Sequence, residues 1–318
     1  TTTKIVMGKQ SDLPEKVEEV VDTLPQSNWR VEANTLHLAN VGFAMDDENK
    51  PRQQYGMDYA HLDAQKLALD AKDILYTADS ILGKISHLAV KERSGLDLQE
   101  LKTNFAYHNK GGYLRDLYLQ TSNTILRDYL EVSYPSLDSL ATAMDRMMVK
   151  ANLVKSKIGL ADVLIFVPEL RKQDLFKKYG NEHLDFEAVL DGYLAKLNID
   201  RFYLKGLTQT EVLLKGKLNG LPETNKINYD LVINKLKSGA ADIKAIVPPS
   251  ALESISVPNN LSIVGKVRGT LEDYNTDLVM VSSDGAATIK GYIHMSPGKG
   301  REKYDMYVNT NKLNVGKI

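Results

Sequence analysis

The chain has 318 residues, with 40 basic and 41 acidic side chains for a formal net charge of −1, and it contains no cysteine. So even a balance, with no basic tract, leaves no electrostatic footprint for nucleic acid, and the missing thiols exclude disulfides, thiolate catalysis and cysteine-bound metals. The longest aliphatic or aromatic run, Val163 to Val167, is far too short to span a bilayer as a helix.

The opening "TTTKIVMGK" and the ending "LNVGKI" both have strand composition, and neither a start methionine nor a signal peptide is present. The expectation is a piece of a longer chain. "SDLPEKVEEVVDTL" (11–24) sets Leu13, Val17, Val20, Val21 and Leu24 at helical spacing behind a Ser/Asp–Pro start. Strand alternation then takes over: Trp29, Val31 and Ala33; Leu36 and Leu38; Val41, Phe43 and Met45. Leu67, Leu69 and Ala71, then Ile74 and Tyr76, continue it with slips of phase that bulges or corners produce.

"SLDSLATAMDRMM" (136–148) spaces Leu137, Leu140, Met144 and Met147 as a second amphipathic helix. Residues 1–150 therefore read as an irregular β region with two short amphipathic helices, and 151–318 as repeating β-groove units. In the second region, "GLADVLIFVPEL" (159–170) reads as a short apolar helix ended by Pro168.

Regular strands follow. Val212, Leu214, Gly216 and Leu218 share a face, as do Tyr229, Leu231 and Ile233. Ala241, Ile243, Ala245 and Val247 alternate as a further strand that stops at Pro248-Pro249. The plan recurs in Ile263, Gly265, Val267 and Gly269, then Leu278 and Met280, then Ala287, Ile289, Gly291 and Ile293. Gly216 aligns with Gly265 (265 − 216 = 49) and Asp230 with Asp277 (277 − 230 = 47), which predicts a repeat of nearly fifty residues and a stacked, elongated body.

Five pentapeptides place a glycine at the centre of an apolar face: "ILGKI" (81–85), "LDGYL" (190–194), "LKGKL" (214–218), "IVGKV" (263–267) and "IKGYI" (289–293). Glycine inside a strand marks a bend, a bulge, or close approach to the backbone. Curvature and a smooth floor for a guest are both open readings.

Catalytic patterns are missing. The six histidines fall in no HExxH or HxH spacing. "SPGKGREK" (296–303) lacks a phosphate-loop pattern and reads as a hairpin turn. "MDDENKPRQ" (45–53) gathers Asp46, Asp47 and Glu48 without calcium-loop spacing and reads as a solvated turn. No GxSxG elbow is present. The expectation is a protein that is not an enzyme and holds no metal or cofactor.

"IGLADVLIFVPEL", "LKGKLNGLPETNKINYDLVI", "VGKVRGTLEDYNTDLVMVSSDGAATIKGYI" and the ending "GREKYDMYVNTNKLNVGKI" resemble the TamB branch of AsmA-like envelope proteins, above all the Bacteroidetes versions. The resemblance covers nearly the whole chain and is clearest over 150–318. It implies a periplasmic protein of repeating β-units folded like a taco, with a hydrophobic concave side. It further implies lipid transport toward the outer membrane or help in outer-membrane assembly, a phospholipid or other acyl-chain partner, an inner-membrane anchor and an outer-membrane β-barrel partner. The expectation is a fragment that holds neither the family's N-terminal anchor nor its C-terminal domain.

The fold expected is mainly β, an elongated and strongly curved antiparallel sheet with a few short helices. The groove lining expected is Leu190, Gly192, Leu194, Leu214, Gly216, Leu218, Leu231, Ile233, Ile243, Ile263, Gly265, Val267, Leu278, Ile289, Gly291 and Ile293. An acyl chain of about 15 methylenes buried there would gain roughly 12 kcal/mol gross. The rival expectation is an elongated scaffold with a sealed core, a spacer or adhesin that binds no lipid.

Overall fold

The computed structural model describes residues 2–7, 29–136, 143–252, 256–294 and 303–312. Their strands form one 16-stranded sheet whose spatial order is the order of the chain. The first half comprises β1 (Thr2–Met7), β2 (Arg30–Asp47), β3 (His61–Thr77), β4 (Ser80–Glu92), β5 (Asp97–His108), β6 (Gly111–Thr121), β7 (Ile125–Ser133) and β8 (Met148–Gly159). The second comprises β9 (His183–Tyr193), β10 (Lys196–Gly206), β11 (Thr210–Asn219), β12 (Asn228–Gly239), β13 (Asn260–Thr270), β14 (Asp273–Ser282), β15 (Gly285–His294) and β16 (Lys303–Asn311). β1 runs parallel to β2; every later pairing is antiparallel.

The sheet is not closed into a barrel. At about 4.8 Å per strand its sixteen strands extend for roughly 75 Å, against about 33 Å for a ten-residue strand such as β11. The body is therefore elongated along the direction of strand addition.

A line of bulges crosses the sheet. Registers slip at Arg115/Leu117 in β6, Leu153/Ser156 in β8, Ile199/Phe202 in β10 and Ile233/Leu236 in β12. Asp116 and Lys155, at two of these slips, have φ of 52° and 50°, and Asp128, at a further slip between Ile125 and Tyr129 in β7, has φ of 83°. Each bulge bends its strand and increases its twist, so bulges aligned on neighbours act as a crease. From β13 to β16 the registers run without a slip.

Short helices lie along one rim. α1 (Leu160–Phe166) follows β8, α2 (Asp174–Tyr179) precedes β9, and α3 (Ala240–Ile246) and α4 (Pro249–Leu252) follow β12. The α1 expectation holds, with Pro168 just beyond its end. α3 overturns the strand expected through Ile243. Over seven residues apolar side chains at every second position do not distinguish a strand from a helical turn, and a tertiary contact decides. Asp242 on α3 is wholly buried and accepts bonds from the Thr208 and Gln209 amides (3.2 and 2.8 Å), the Thr210 hydroxyl (2.9 Å) and the Tyr179 hydroxyl. It thereby fastens the β10–β11 turn, two strands back.

The same device stands one unit earlier. Asp162 on α1 accepts from the Thr121 hydroxyl and from Asn123 Nδ2 (2.9 Å) at the β6–β7 turn, while Thr124 Oγ1 receives the Gly159 amide (3.1 Å). "GLADVLIFVP" (159–168) and "GAADIKAIVP" (239–248) align at 242 − 162 = 80 residues. The structural unit is four strands and a helix. The offsets of 47 and 49 residues relate the β11–β12 hairpin to the β13–β14 hairpin across α3.

Position 150 falls inside β8, so the sheet continues without interruption across the expected regional boundary. The expected helix at 11–24 lies outside the described residues, as do 137–142 of the second helix. Met144–Arg146 form a single 3-10 turn, and Met148 already belongs to β8.

The loop 48–60 runs along the helical rim. The Met57 amide bonds to the Ile165 carbonyl at 2.7 Å, and Gly56, with φ of 79°, sits where a Cβ would be 2.8 Å from that same oxygen. Buried His61 anchors the loop, with Nδ1 2.9 Å from Asp58 and Nε2 3.6 Å from Asp46. Burial pushes the Asp58 carboxyl up, but the Gln53 amide, His61 and the Ala60 amide outweigh it and hold the group below its ordinary value.

Candidate functional site

In an antiparallel pair, residues directly opposite each other point to the same face. Following the registers from β8 to β16 gives three unbroken rows on one face. The first runs from Ala151 through Leu190, Ile199 and Gly216 to Leu231, then Val267, Thr276, Gly291 and Met306. The second runs from Val149 through Gly192, Leu197 and Leu218 to Tyr229, then Gly269, Tyr274, Ile293 and Tyr304. The third passes Leu153, Ala188, Phe202, Leu214, Ile233, Gly265, Leu278, Ile289 and Val308. A shorter fourth row joins Val212, Leu236, Ile263, Met280 and Ala287.

Fourteen of the sixteen expected lining residues thus share one face: Leu190, Gly192, Leu214, Gly216, Leu218, Leu231, Ile233, Ile263, Gly265, Val267, Leu278, Ile289, Gly291 and Ile293. The other two do not. Ile243 is on α3, at the rim. Leu194 is in the β9–β10 turn, where its amide bonds to the Met147 carbonyl at 2.8 Å. The turn residues Leu194 and Ala195 include none of the usual turn formers, so alternation in the sequence runs past the end of β9.

Sequence reasoning missed Ile199, Phe202 and Leu197. The extra residues of the β10 bulge break the alternation between Ile199 and Phe202. It also missed Asp162 and Asp242, although the repeated Gly-x-Ala-Asp carries the signal.

The glycines are required by the backbone. Gly216 has φ of 141°, and a Cβ there would be 2.0 Å from the Asp230 carbonyl of the neighbouring strand. Gly265 repeats this at 137° and 2.1 Å from the Asp277 carbonyl. No L side chain fits such a contact. These positions bend the strands and also leave the face without a projecting side chain, so the two readings of the pentapeptides coincide. Gly83 differs: it lies in β4 opposite Phe105, and a Cβ there would meet the Ile74 side chain.

The opposite face is charged. Lys217 and Arg268 flank Asp230, and Lys266 and Lys290 flank Asp277, with Arg268–Asp230 at 3.7 Å and Lys290–Asp277 at 3.0 Å.

No family model, curated protein or solved structure matches this chain.

The site is therefore defined by its own geometry. Apart from the three tyrosines, Thr276 is the single polar side chain in the three rows. Tyr229 spends its hydroxyl on the Thr270 carbonyl at 2.8 Å. Burial pushes its pKa up, with Tyr274 adding to the shift, so the phenol stays neutral. The rows carry no carboxylate, imidazole or ammonium group. Such a surface is apolar over most of its length. It can associate with apolar matter from β11 to β16, about 24 Å over six strands. At β8–β10 Ala151, Leu153, Ala188 and Leu197 are buried, and Ala151 and Leu153 form a core cluster with Leu117.

Proposed function

We propose that the apolar face is the inner wall of an open trough that binds lipid acyl chains and lets them pass along the rows. The reading extends to a non-enzymatic segment of a periplasmic lipid conduit of the TamB type, which moves phospholipid between membranes or assists outer-membrane assembly.

The contrast between the two faces carries the reading. Val264 and Val279 on the outer face are 40% and 44% exposed, whereas Val267 on the row face is only partly exposed. Identical side chains on one strand pair thus differ, the row side being the more covered of the two. Yet the expected aliphatic lining residues on the rows are all half-buried rather than sealed. A closed scaffold core would bury them. The rows exceed the roughly 15 Å half-thickness of a bilayer's hydrocarbon core, so a whole acyl chain fits along them. The absence of charge from the three rows leaves no desolvation barrier on the way.

The test is photo-crosslinking from Val267 and from Val279, beside thermal unfolding of Val267→Glu. The proposal expects lipid adducts from Val267 alone, lost in the Glu variant while it remains folded. A sealed scaffold gives no adduct from either position and a collapsed Tm for the variant.

A further inference from the structure

The rows contain one unexplained polar atom. Thr276 Oγ1 is buried without a hydrogen-bond partner, the single such side-chain atom among the described residues. Thr276 itself is 9% exposed, while its strand neighbours Asn275 and Asp277 face solvent, so its side chain is turned to the apolar face. An unpaired buried hydroxyl is costly, and native structures retain few of them.

Its surroundings are unusual in a second, independent way. Thr276 pairs with Gly291 on β15, and the two diagonal positions on β13 are Gly265 and Gly269. Three glycines therefore surround one threonine, with Val267 the remaining opposite neighbour. Each glycine leaves the face without a projecting side chain beside Thr276, whose hydroxyl is covered in this structure. The side chains next to it on the rows are those of Val267, Tyr274, Leu278, Ile289 and Ile293.

We infer that Thr276 and its three glycines form a subsite for the carbonyl oxygen at the head of an acyl chain, with Thr276 Oγ1 donating the hydrogen bond. A neutral carbonyl is the ligand chemistry that fits. It needs one donor and no counter-charge, and none of the row residues supplies a charge. The inference rests on the proposed acyl-chain trough and adds a polar station to it, at which an acylated molecule pauses with its chain along the rows. Ester lipids and protonated fatty acids share this carbonyl.

Binding of methyl palmitate, palmitic acid and hexadecane to the whole chain tests it, each measured on the native protein, Thr276→Val and Thr276→Ser. Thr276→Val is expected to keep or raise Tm, because it removes an unpaired hydroxyl at nearly constant volume. It should weaken methyl palmitate binding about two- to tenfold, the worth of one neutral hydrogen bond, and leave hexadecane binding unchanged. Thr276→Ser should restore the ester preference. An equal loss for palmitic acid assigns the station to either carbonyl source; a loss for the ester alone assigns it to esters. An unchanged ester-to-hexadecane ratio in Thr276→Val overturns the inference, and so does a large fall in its Tm, which would mean the hydroxyl has a partner within the fold. Failure of the native protein to bind hexadecane at all overturns the trough reading instead.

Discussion

Replacing Asp242 by alanine should open one turn of the sheet without unfolding the rest. The carboxylate has no solvent exposure and receives two amides, a threonine hydroxyl and a phenol. A hydrogen bond to a charged group contributes about 1.5–3 kcal/mol, and the stranded donors at the β10–β11 turn partly recover by meeting water. The net expected loss is about 3–5 kcal/mol, felt locally because each strand is held chiefly by its two neighbours. Hydrogen exchange at the Thr208 and Gln209 amides is the assay: their protection should fall by roughly two to four orders of magnitude, while β14 and β15 stay unchanged. The pH dependence follows from the same contacts. Burial pushes the Asp242 carboxyl up, but the bonds from Tyr179, Gln209, Thr210 and Thr208 outweigh it, so the folded pKa lies below the unfolded value near 3.9. The stabilisation is therefore present above about pH 4 and disappears as pH falls through the folded pKa. Native protein should show the turn opening only in acid, and the alanine variant should show it already at neutral pH. Unchanged protection of Thr208 and Gln209 in the variant would refute the claim that this carboxylate holds the turn.

Gly216→Ala should lower the denaturant-measured stability by about 3 kcal/mol, from the positive φ and the 2.0 Å approach of the Asp230 carbonyl. Gly95→Ala, with φ of 101° but nothing within 4 Å, separates the two causes and should cost about 1 kcal/mol. His61→Ala leaves the buried Asp58 carboxylate with only the Gln53 and Ala60 amides and should cost about 2–4 kcal/mol, with loop 48–60 becoming a protease target at Arg52. Leu197→Ala, a buried row member, should cost about 2–4 kcal/mol, whereas Val281→Ala on the outer face should change little.

Where β-strands run without bulges, the sequence was enough. In β13 to β15, Ile263, Gly265, Val267, Leu278, Ile289 and Ile293 all lie on the face their alternation assigns them. Legibility failed wherever a long-range contact overrode the local pattern. Ile243 alternates with Ala241 and Ala245, yet the segment coils because Asp242 reaches the Thr208–Thr210 turn, some thirty residues away in sequence. Ile199 and Phe202 lost their common phase to a bulge whose position is set by pairing with β9 and β11. The Gly-x-Ala-Asp repeat could have been read directly, because the residues are identical at an eighty-residue offset. Its meaning could not, since the turn that each aspartate fastens lies outside the motif. The rows themselves had to await the registers, which alone say which residue of one strand stands beside which of the next.

Strand order that follows chain order turns distance into something that can be counted. One four-strand unit lengthens the rows by about 19 Å, and it does so whatever stands on either side, because its contacts are made with its immediate neighbours. Reach then becomes a matter of copy number: duplication of an eighty-residue segment extends the span, and its loss shortens it, without redesign of any joint. The aspartate-headed helices act as the markings on such a ruler, one for each increment.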